Sequence, residues 1–110
     1  MKEDYIQKQC VQWFIQTYPE LQGLLCYNLN NSRNKVAGAN NKRMGLIKGR
    51  SDMVLYFKGV ATMMEFKTST GRQNQSQKDW QKLIEWQGFS YYIIRSLDEF
   101  KQVINHIIQT

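Results

Sequence analysis

Two carboxylates and a lysine stand at a spacing that could bring them together on one side of a sheet. Asp52 begins one apolar run, and Glu65 and Lys67 end the next. The dipeptide Lys58-Gly59 connects the runs, and a two-residue connection containing glycine is typical of a β-hairpin. With this turn, Asp52 falls directly opposite Glu65, and the alternation of side chains along the second strand puts Lys67 on the same face.

Two interpretations of this group remain open from spacing alone. Like charges directly opposed on a sheet destabilise it by a few tenths to about 1 kcal/mol, so a cation is expected between Asp52 and Glu65. Lys67 could neutralise one carboxylate in a salt bridge at the strand end. Alternatively, the carboxylates hold Mg²⁺, which takes one or two carboxylates together with water and substrate phosphate. One His and two Cys are too few for a His/Cys zinc site.

A basic segment precedes the first carboxylate. Between Leu21 and Ser51 there is no acidic residue, and the net charge of the whole chain is +6. The six cations of the segment are Arg33, Lys35, Lys42, Arg43, Lys48 and Arg50. Such a balance favours nucleic acid as the partner over an acidic membrane surface, although a solvated loop with an incidental charge bias would have the same composition. Carboxylates, a lysine and a phosphate-delivering segment are the parts of metal-assisted phosphodiester hydrolysis.

The elements that must position these residues follow from the apolar pattern. The pattern predicts a sequence of helices and strands over 3–18 (helix), 24–27 (strand), 52–57 and 60–67 (the hairpin), 77–87 (helix), 89–95 (strand) and a last helix opened by Ser96-x-x-Glu99. No linker or repeat divides residues 1–110, so we expect one domain. The predicted fold is α/β, a mixed sheet flanked by helices in the order α-β-β-β-α-β-α. The segment from 28 to 51 is predicted to be a loop that is poorly ordered without DNA.

Several classes of protein are excluded by composition. A mean hydropathy of -0.58 and the lack of an apolar run near 18 residues argue against a transmembrane span. The acidic start of the chain has no apolar segment of the kind found in secretory signals. Cys10 and Cys26 lack metal or redox spacing, so we expect free thiols and a cytoplasmic protein.

The surroundings of these residues resemble a known nuclease family. Asp52, followed by Glu65-Phe66-Lys67, resembles the D…ExK signature of the PD-(D/E)xK nucleases. Lys48-Gly49 before the aspartate, Gln77-x-x-Trp80 after the lysine, and Gly88 before an apolar strand are similar to the VRR-NUC (virus-type replication-repair nuclease) family. The resemblance covers about residues 45–96 and implies a single domain with the restriction-endonuclease-like fold, of the stand-alone type found in phages and bacteria.

The resemblance also implies roles for individual residues. Asp52 and Glu65 correspond to the acids that bind Mg²⁺ or Mn²⁺, and Phe66 to the position whose backbone carbonyl reaches the metal. Lys67 corresponds to the catalytic lysine, which orients or activates the attacking water. Gln77 corresponds to a glutamine that helps to hold the site.

A glutamate on the first helix can complete such sites. Glu3 is the best match for it, with Asp4 as the alternative. Two positions depart from the family pattern, since Ser51 stands where proline usually precedes the aspartate, and Asn74 where serine often precedes the glutamine. Neither change removes a proposed ligand.

The function implied by the resemblance is a metal-dependent DNA endonuclease with a role in DNA repair or recombination. The stand-alone members suggest cleavage of branched DNA by a homodimer, in the manner of a Holliday-junction resolvase. Two other functions are compatible with the sequence. One is a non-catalytic nucleic-acid-binding module on the same fold, and the other is a restriction-like enzyme whose Asn- and Arg-rich segment reads bases.

Overall fold

The structure, a computed structural model, describes residues 2–29 and 35–110. Its elements in chain order are helix α1 (Glu3–Thr17), a 3-10 helix (Pro19–Leu24), strand β1 (Leu25–Tyr27), helix α2 (Lys35–Arg43), strands β2 (Met53–Phe57) and β3 (Val60–Phe66), helix α3 (Gln75–Trp86), strand β4 (Ser90–Ile94) and helix α4 (Leu97–Gln109). In the described ranges, no helix combines the length and apolar character that a membrane crossing requires.

The four strands form one mixed sheet in the order β1-β2-β3-β4. The first two pairings are antiparallel, and β4 lies parallel to β3. Lys58 and Gly59 form the turn between β2 and β3, with φ values of 49° and 80°, as a tight turn with two left-handed residues requires. Met53 pairs with Met64, which confirms the predicted hairpin and its register. In this register, the next pair of residues along the two strands is Asp52 and Glu65.

Helices cover both faces of this sheet. The larger core lies between the sheet and helices α1 and α4, which contribute Ile6, Cys10, Phe14, Phe100 and Ile104. The spacing of the first three places them on one stripe of α1, as an amphipathic helix requires. The smaller core lies on the opposite face, where α3 packs on the sheet through two half-buried side chains, Trp80 and Ile84. The mixed sheet flanked by helices is therefore as predicted.

Local capping interactions fix where two of the helices begin. Asn74 Oδ1 accepts the backbone N–H of Gln77 at 3.0 Å, and Gln77 Oε1 accepts the backbone N–H of Asn74 at 2.9 Å. Helix α3 thus starts two residues before the predicted position. Ser96 Oγ accepts the N–H of Glu99 at 3.2 Å, and this carboxylate accepts the N–H of Arg95 at 3.0 Å.

Part of the basic segment differs from the prediction. Residues 35–43 form helix α2, so the prediction of a loop from 28 to 51 is wrong there, and the element order gains a helix between the first two strands. The helix has no buried residue in its described part, and Val36 is 80% exposed. Because no apolar stripe is buried, the period that identifies a helix in sequence is missing. Residues 30–34 lie outside the described part of the chain.

Candidate active site

Asp52 lies at the entrance to β2 and is held through its backbone and its side chain. Asn28 donates its backbone N–H to the Asp52 carbonyl at 2.8 Å and its side-chain amide to the carbonyl of buried Ser51 at 3.1 Å. The Asp52 carboxylate accepts the backbone N–H of Phe66 at 2.6 Å. The side chain therefore bridges the hairpin at its open end, where the register places it opposite Glu65.

The surroundings of Asp52 disfavour its charged form. Burial raises the pKa of Asp52 and is the largest influence on it. The negative charges of Glu65 and Glu3 also raise this pKa, whereas the Phe66 N–H and the Lys67 ammonium lower it. A bound cation would relieve this repulsion and favour the carboxylate.

Glu65 is fully buried, and its two oxygens have different surroundings. Oε1 accepts the hydroxyl of Tyr91 at 2.5 Å and the side-chain amide of Gln73 at 3.1 Å. Gln73 Nε2 also lies 2.8 Å from Gln81 Oε1 on α3. Oε2 is buried without a hydrogen-bond partner. Leaving a buried carboxylate oxygen without a hydrogen bond costs free energy, so this atom is suited to accept a cation.

Lys67 follows β3 and is buried, with a relative exposure of 6%. Its Nζ lies 3.7 Å from Glu65 Oε2 and 3.9 Å from Glu3 Oε2. Both separations are longer than a hydrogen bond, so the ammonium offsets charge without saturating either oxygen. Lys67 also acts electrostatically on Asp52, whose pKa it lowers.

The donor set fits a hard divalent cation. In residues 2–29 and 35–110, no group of three or more His, Cys, Asp or Glu side chains could hold a metal ion. Two carboxylates with backbone, water and substrate oxygens remain, which is the small protein contribution typical of Mg²⁺. Asp52, Glu65 and the Phe66 carbonyl stay the predicted ligands. Glu3, with a half-exposed side chain, contacts Lys67, and its role as a ligand is a prediction only.

The glutamine beside Glu65 is not the one that the family resemblance indicates. Gln77 lies in the capping box of α3, whereas Gln73 donates to Glu65. Sequence reasoning also missed Tyr91. The sequence did contain a signal for Tyr91, because the hydroxyl of a tyrosine in a buried strand usually has a hydrogen-bond partner. Burial is the main cause of the raised pKa of Tyr91, and the hydrogen bond to Glu65 raises it further. The phenol therefore keeps its proton and remains a hydrogen-bond donor.

A close backbone contact fixes the chain just before Asp52. Gly49 has a φ of 84°, and a Cβ built on it would lie 2.4 Å from the carbonyl oxygen of Ser76 in the first turn of α3. Only glycine fits this approach without a shift. The contact seats the Lys48–Arg50 stretch against α3, on the face of the sheet that carries Glu65.

The six predicted phosphate-binding residues differ in their exposure and in how much of them the structure describes. Lys42 and Arg43 are exposed in the last turn of α2, Lys48 is exposed, and Arg50 is half-buried. Arg33 and the side chain of Lys35 lie outside what the structure describes. Their contact with nucleic acid stays a prediction.

Comparison with known proteins supports the fold. No protein-family profile and no curated protein matches the sequence. A solved structure described as a VRR_NUC domain protein matches over 99% of this chain and 89% of its own, with a TM-score of 0.81 and 18% sequence identity. At this identity the similarity concerns the arrangement of helices and strands, which it covers almost completely. This chain therefore has the same fold as the structure described as a VRR_NUC domain protein.

Proposed function

We propose that the protein is a Mg²⁺- or Mn²⁺-dependent endodeoxyribonuclease that cleaves branched DNA. The observation that carries this proposal is the buried Oε2 of Glu65, which has no hydrogen bond and lies 3.7 Å from the Lys67 ammonium. The register places Asp52 opposite this glutamate, on a fold similar to that of a VRR_NUC domain protein. Binding a phosphate needs no carboxylates, whereas a Mg²⁺ ion held against a phosphodiester is usually bound by one or two of them.

Each residue of the site has a distinct part in the proposed reaction. Asp52, Glu65 Oε2 and the Phe66 carbonyl would hold the metal ion, which supplies Lewis-acid activation of the phosphodiester and of the attacking water when bound. The Phe66 N–H fixes the orientation of the Asp52 carboxylate. Lys67 places a positive charge where negative charge develops in the transition state and orients the water. Because its side chain is buried, this charge acts with little screening by solvent.

The substrate is proposed from charge and stoichiometry. Exposed cations such as Lys42, Arg43 and Lys48 are suited to phosphate contacts that set the position of the DNA without reading its sequence. One chain supplies one active site. A symmetric homodimer would supply two for paired incisions and would double the net charge of +6, so a four-way junction is the favoured substrate.

Cleavage assays test the proposal directly. Labelled four-way, flap and linear DNAs are incubated with Mg²⁺, Mn²⁺ or a chelator, and the mass of the protein in solution gives its oligomeric state. We expect junction cleavage with either ion. Asp52→Asn and Glu65→Gln should each lower the rate by roughly 10²–10³-fold or more while DNA binding persists. Asp79→Asn, which alters an exposed carboxylate on α3, is the matched control and should cleave normally.

The other outcomes identify the alternative functions. DNA binding without cleavage under any ion would indicate a non-catalytic module. Cleavage of linear DNA at one sequence, with no preference for junctions, would indicate a restriction-like enzyme. Full activity of either site variant would refute the assignment of the metal site.

A further inference from the structure

The two side chains that donate hydrogen bonds to Glu65, Tyr91 and Gln73, give the site a second property besides catalysis. We propose that Tyr91 and Gln73 are positioning residues that make the site select Mg²⁺ and Mn²⁺ over Ca²⁺, by allowing Glu65 to offer one oxygen only. The inference rests on the proposed metal-dependent function and deepens it, because it concerns which ion the site accepts.

The hydrogen bonds at Glu65 are divided unequally between its oxygens. Oε1 receives both the Tyr91 hydroxyl, at 2.5 Å, and the Gln73 amide, at 3.1 Å. A carboxylate oxygen has about two lone-pair sites, so these donors fill those of Oε1. Oε2 has no hydrogen bond and lies closer to Lys67. Glu65 therefore presents a single free oxygen on the side of the ammonium.

Both donors are themselves held in place. Tyr91 is buried on β4, and its ring lies edge-on to Trp80 of α3 at a centroid distance of 6.1 Å. Gln73 lies just before α3, and its amide is 2.8 Å from the side-chain oxygen of Gln81 in the middle of that helix. Glu65 cannot rotate to offer both oxygens without breaking contacts to β4 and to the loop before α3. The orientation of the carboxylate is thus set before any ion binds.

Divalent cations differ in what they require of such a carboxylate. Ca²⁺ takes six to eight oxygens in a flexible shell and often binds both oxygens of one carboxylate, whereas Mg²⁺ requires six in a near-ideal octahedron and keeps several waters. A one-oxygen ligand suits the smaller ion. Removing the donors would leave Oε1 buried and unpaired, at a cost in free energy, and a cation bound by both oxygens would recover that cost. The affinity for Ca²⁺ would therefore rise relative to the affinity for Mg²⁺ or Mn²⁺.

Direct metal titration of the full chain without DNA tests the inference. Mn²⁺ and Ca²⁺ dissociation constants are measured by calorimetry for the wild type, Tyr91→Phe, Gln73→Met and the double variant. The ratio of the Ca²⁺ constant to the Mn²⁺ constant should fall about tenfold in the double variant, the lower end of typical effects for groups that orient metal ligands. Each single variant should show a smaller fall in the same direction.

Two matched controls separate positioning from packing. Tyr92→Phe alters the next residue of β4, which packs into the core on the opposite face. Gln75→Met alters a nearby glutamine whose exposed amide bonds Asp79. Both controls should keep the wild-type ratio. A purely structural role for Tyr91 and Gln73 would weaken both ions in parallel, and an unchanged ratio in the single and double variants would overturn the inference.

The same titration distinguishes this inference from the proposed function. A wild-type protein that binds neither ion and cleaves no DNA with Mg²⁺ or Mn²⁺ would overturn both. A wild type that binds Mn²⁺ and cleaves DNA, beside variants with an unchanged ratio, would overturn only the assignment of Tyr91 and Gln73. As a second readout, Ca²⁺ should inhibit Mn²⁺-supported cleavage at lower concentrations in the double variant than in the wild type.

Discussion

The glycine before the site offers a sharp test of how the chain delivers Asp52. Gly49 and Gly59 have nearly the same left-handed backbone, with φ values of 84° and 80°. A Cβ at Gly49 would lie 2.4 Å from the Ser76 carbonyl oxygen, whereas nothing lies within 4 Å of one at Gly59. Alanine at the two positions therefore shares the backbone penalty and differs in the steric one. Gly59→Ala is the internal control.

The magnitudes follow from these two contributions. A non-glycine residue in the left-handed region costs about 1–2 kcal/mol, and this is the destabilisation that we expect for Gly59→Ala. Gly49→Ala must also relieve an impossible contact with a backbone carbonyl, which cannot swing away as a side chain can. Overpacking of this kind typically costs about 1–3 kcal/mol. We therefore expect a total of about 2–5 kcal/mol for Gly49→Ala.

Urea unfolding followed by tryptophan fluorescence measures both variants against the wild type. Equal slopes with denaturant would show that the unfolding free energies can be compared. The shift needed at Gly49 should also move the Lys48–Asp52 stretch away from α3, so cleavage per folded molecule should fall for Gly49→Ala and not for Gly59→Ala. Equal losses of stability in the two variants would refute the close contact between Gly49 and Ser76.

Three further predictions address charge and exposure. Lys67→Met should lower the single-turnover cleavage rate by roughly 10²-fold or more with little change in DNA affinity; weaker affinity at an unchanged rate would make Lys67 a phosphate clamp instead. Neutralising Lys42 and Arg43 together should weaken binding to all DNA sequences equally and reduce the slope of log affinity against log salt by up to about 0.9 for each phosphate that the variant no longer neutralises. Selective loss of one preferred sequence would favour the restriction-like alternative. Cys26 is exposed, whereas Cys10 is buried and burial raises its pKa to about 12, so a thiol reagent at pH 8 should modify only Cys26 in the folded protein; two rapidly reacting thiols would contradict the packing of α1.

The features that sequence predicted well depend on neighbours along the chain. The turn at Lys58-Gly59 and the alternation of side chains were enough to place Asp52 opposite Glu65. The apolar pattern over residues 3–18 was enough to identify α1, whose buried residues are Ile6, Cys10 and Phe14. In each case the pattern is local, and burial of one face enforces it.

The features that sequence missed depend on long-range packing or lack a local signal. Gln73 and Tyr91 meet Glu65 only because α3 crosses over the sheet and returns β4 parallel to β3. Helix α2 buries no apolar stripe and so left no period to find. The capping box of Asn74 and Gln77 was readable as an Asn-x-x-Gln motif. This motif explains Gln77 as a helix-capping residue, whereas the family resemblance implies that Gln77 helps to hold the site.

The arrangement of charges bears on the two interpretations that spacing alone left open. A salt bridge that served stability would pair Lys67 and Glu65 at hydrogen-bond distance, since removing two charges from water is costly unless their geometry repays it. Here the ammonium lies 3.7 Å from Glu65 Oε2, which has no hydrogen bond. Asp52 and Glu3 add negative charge that one lysine cannot balance. This arrangement favours the proposal that the group accepts a divalent cation over the interpretation as a salt bridge that serves stability alone.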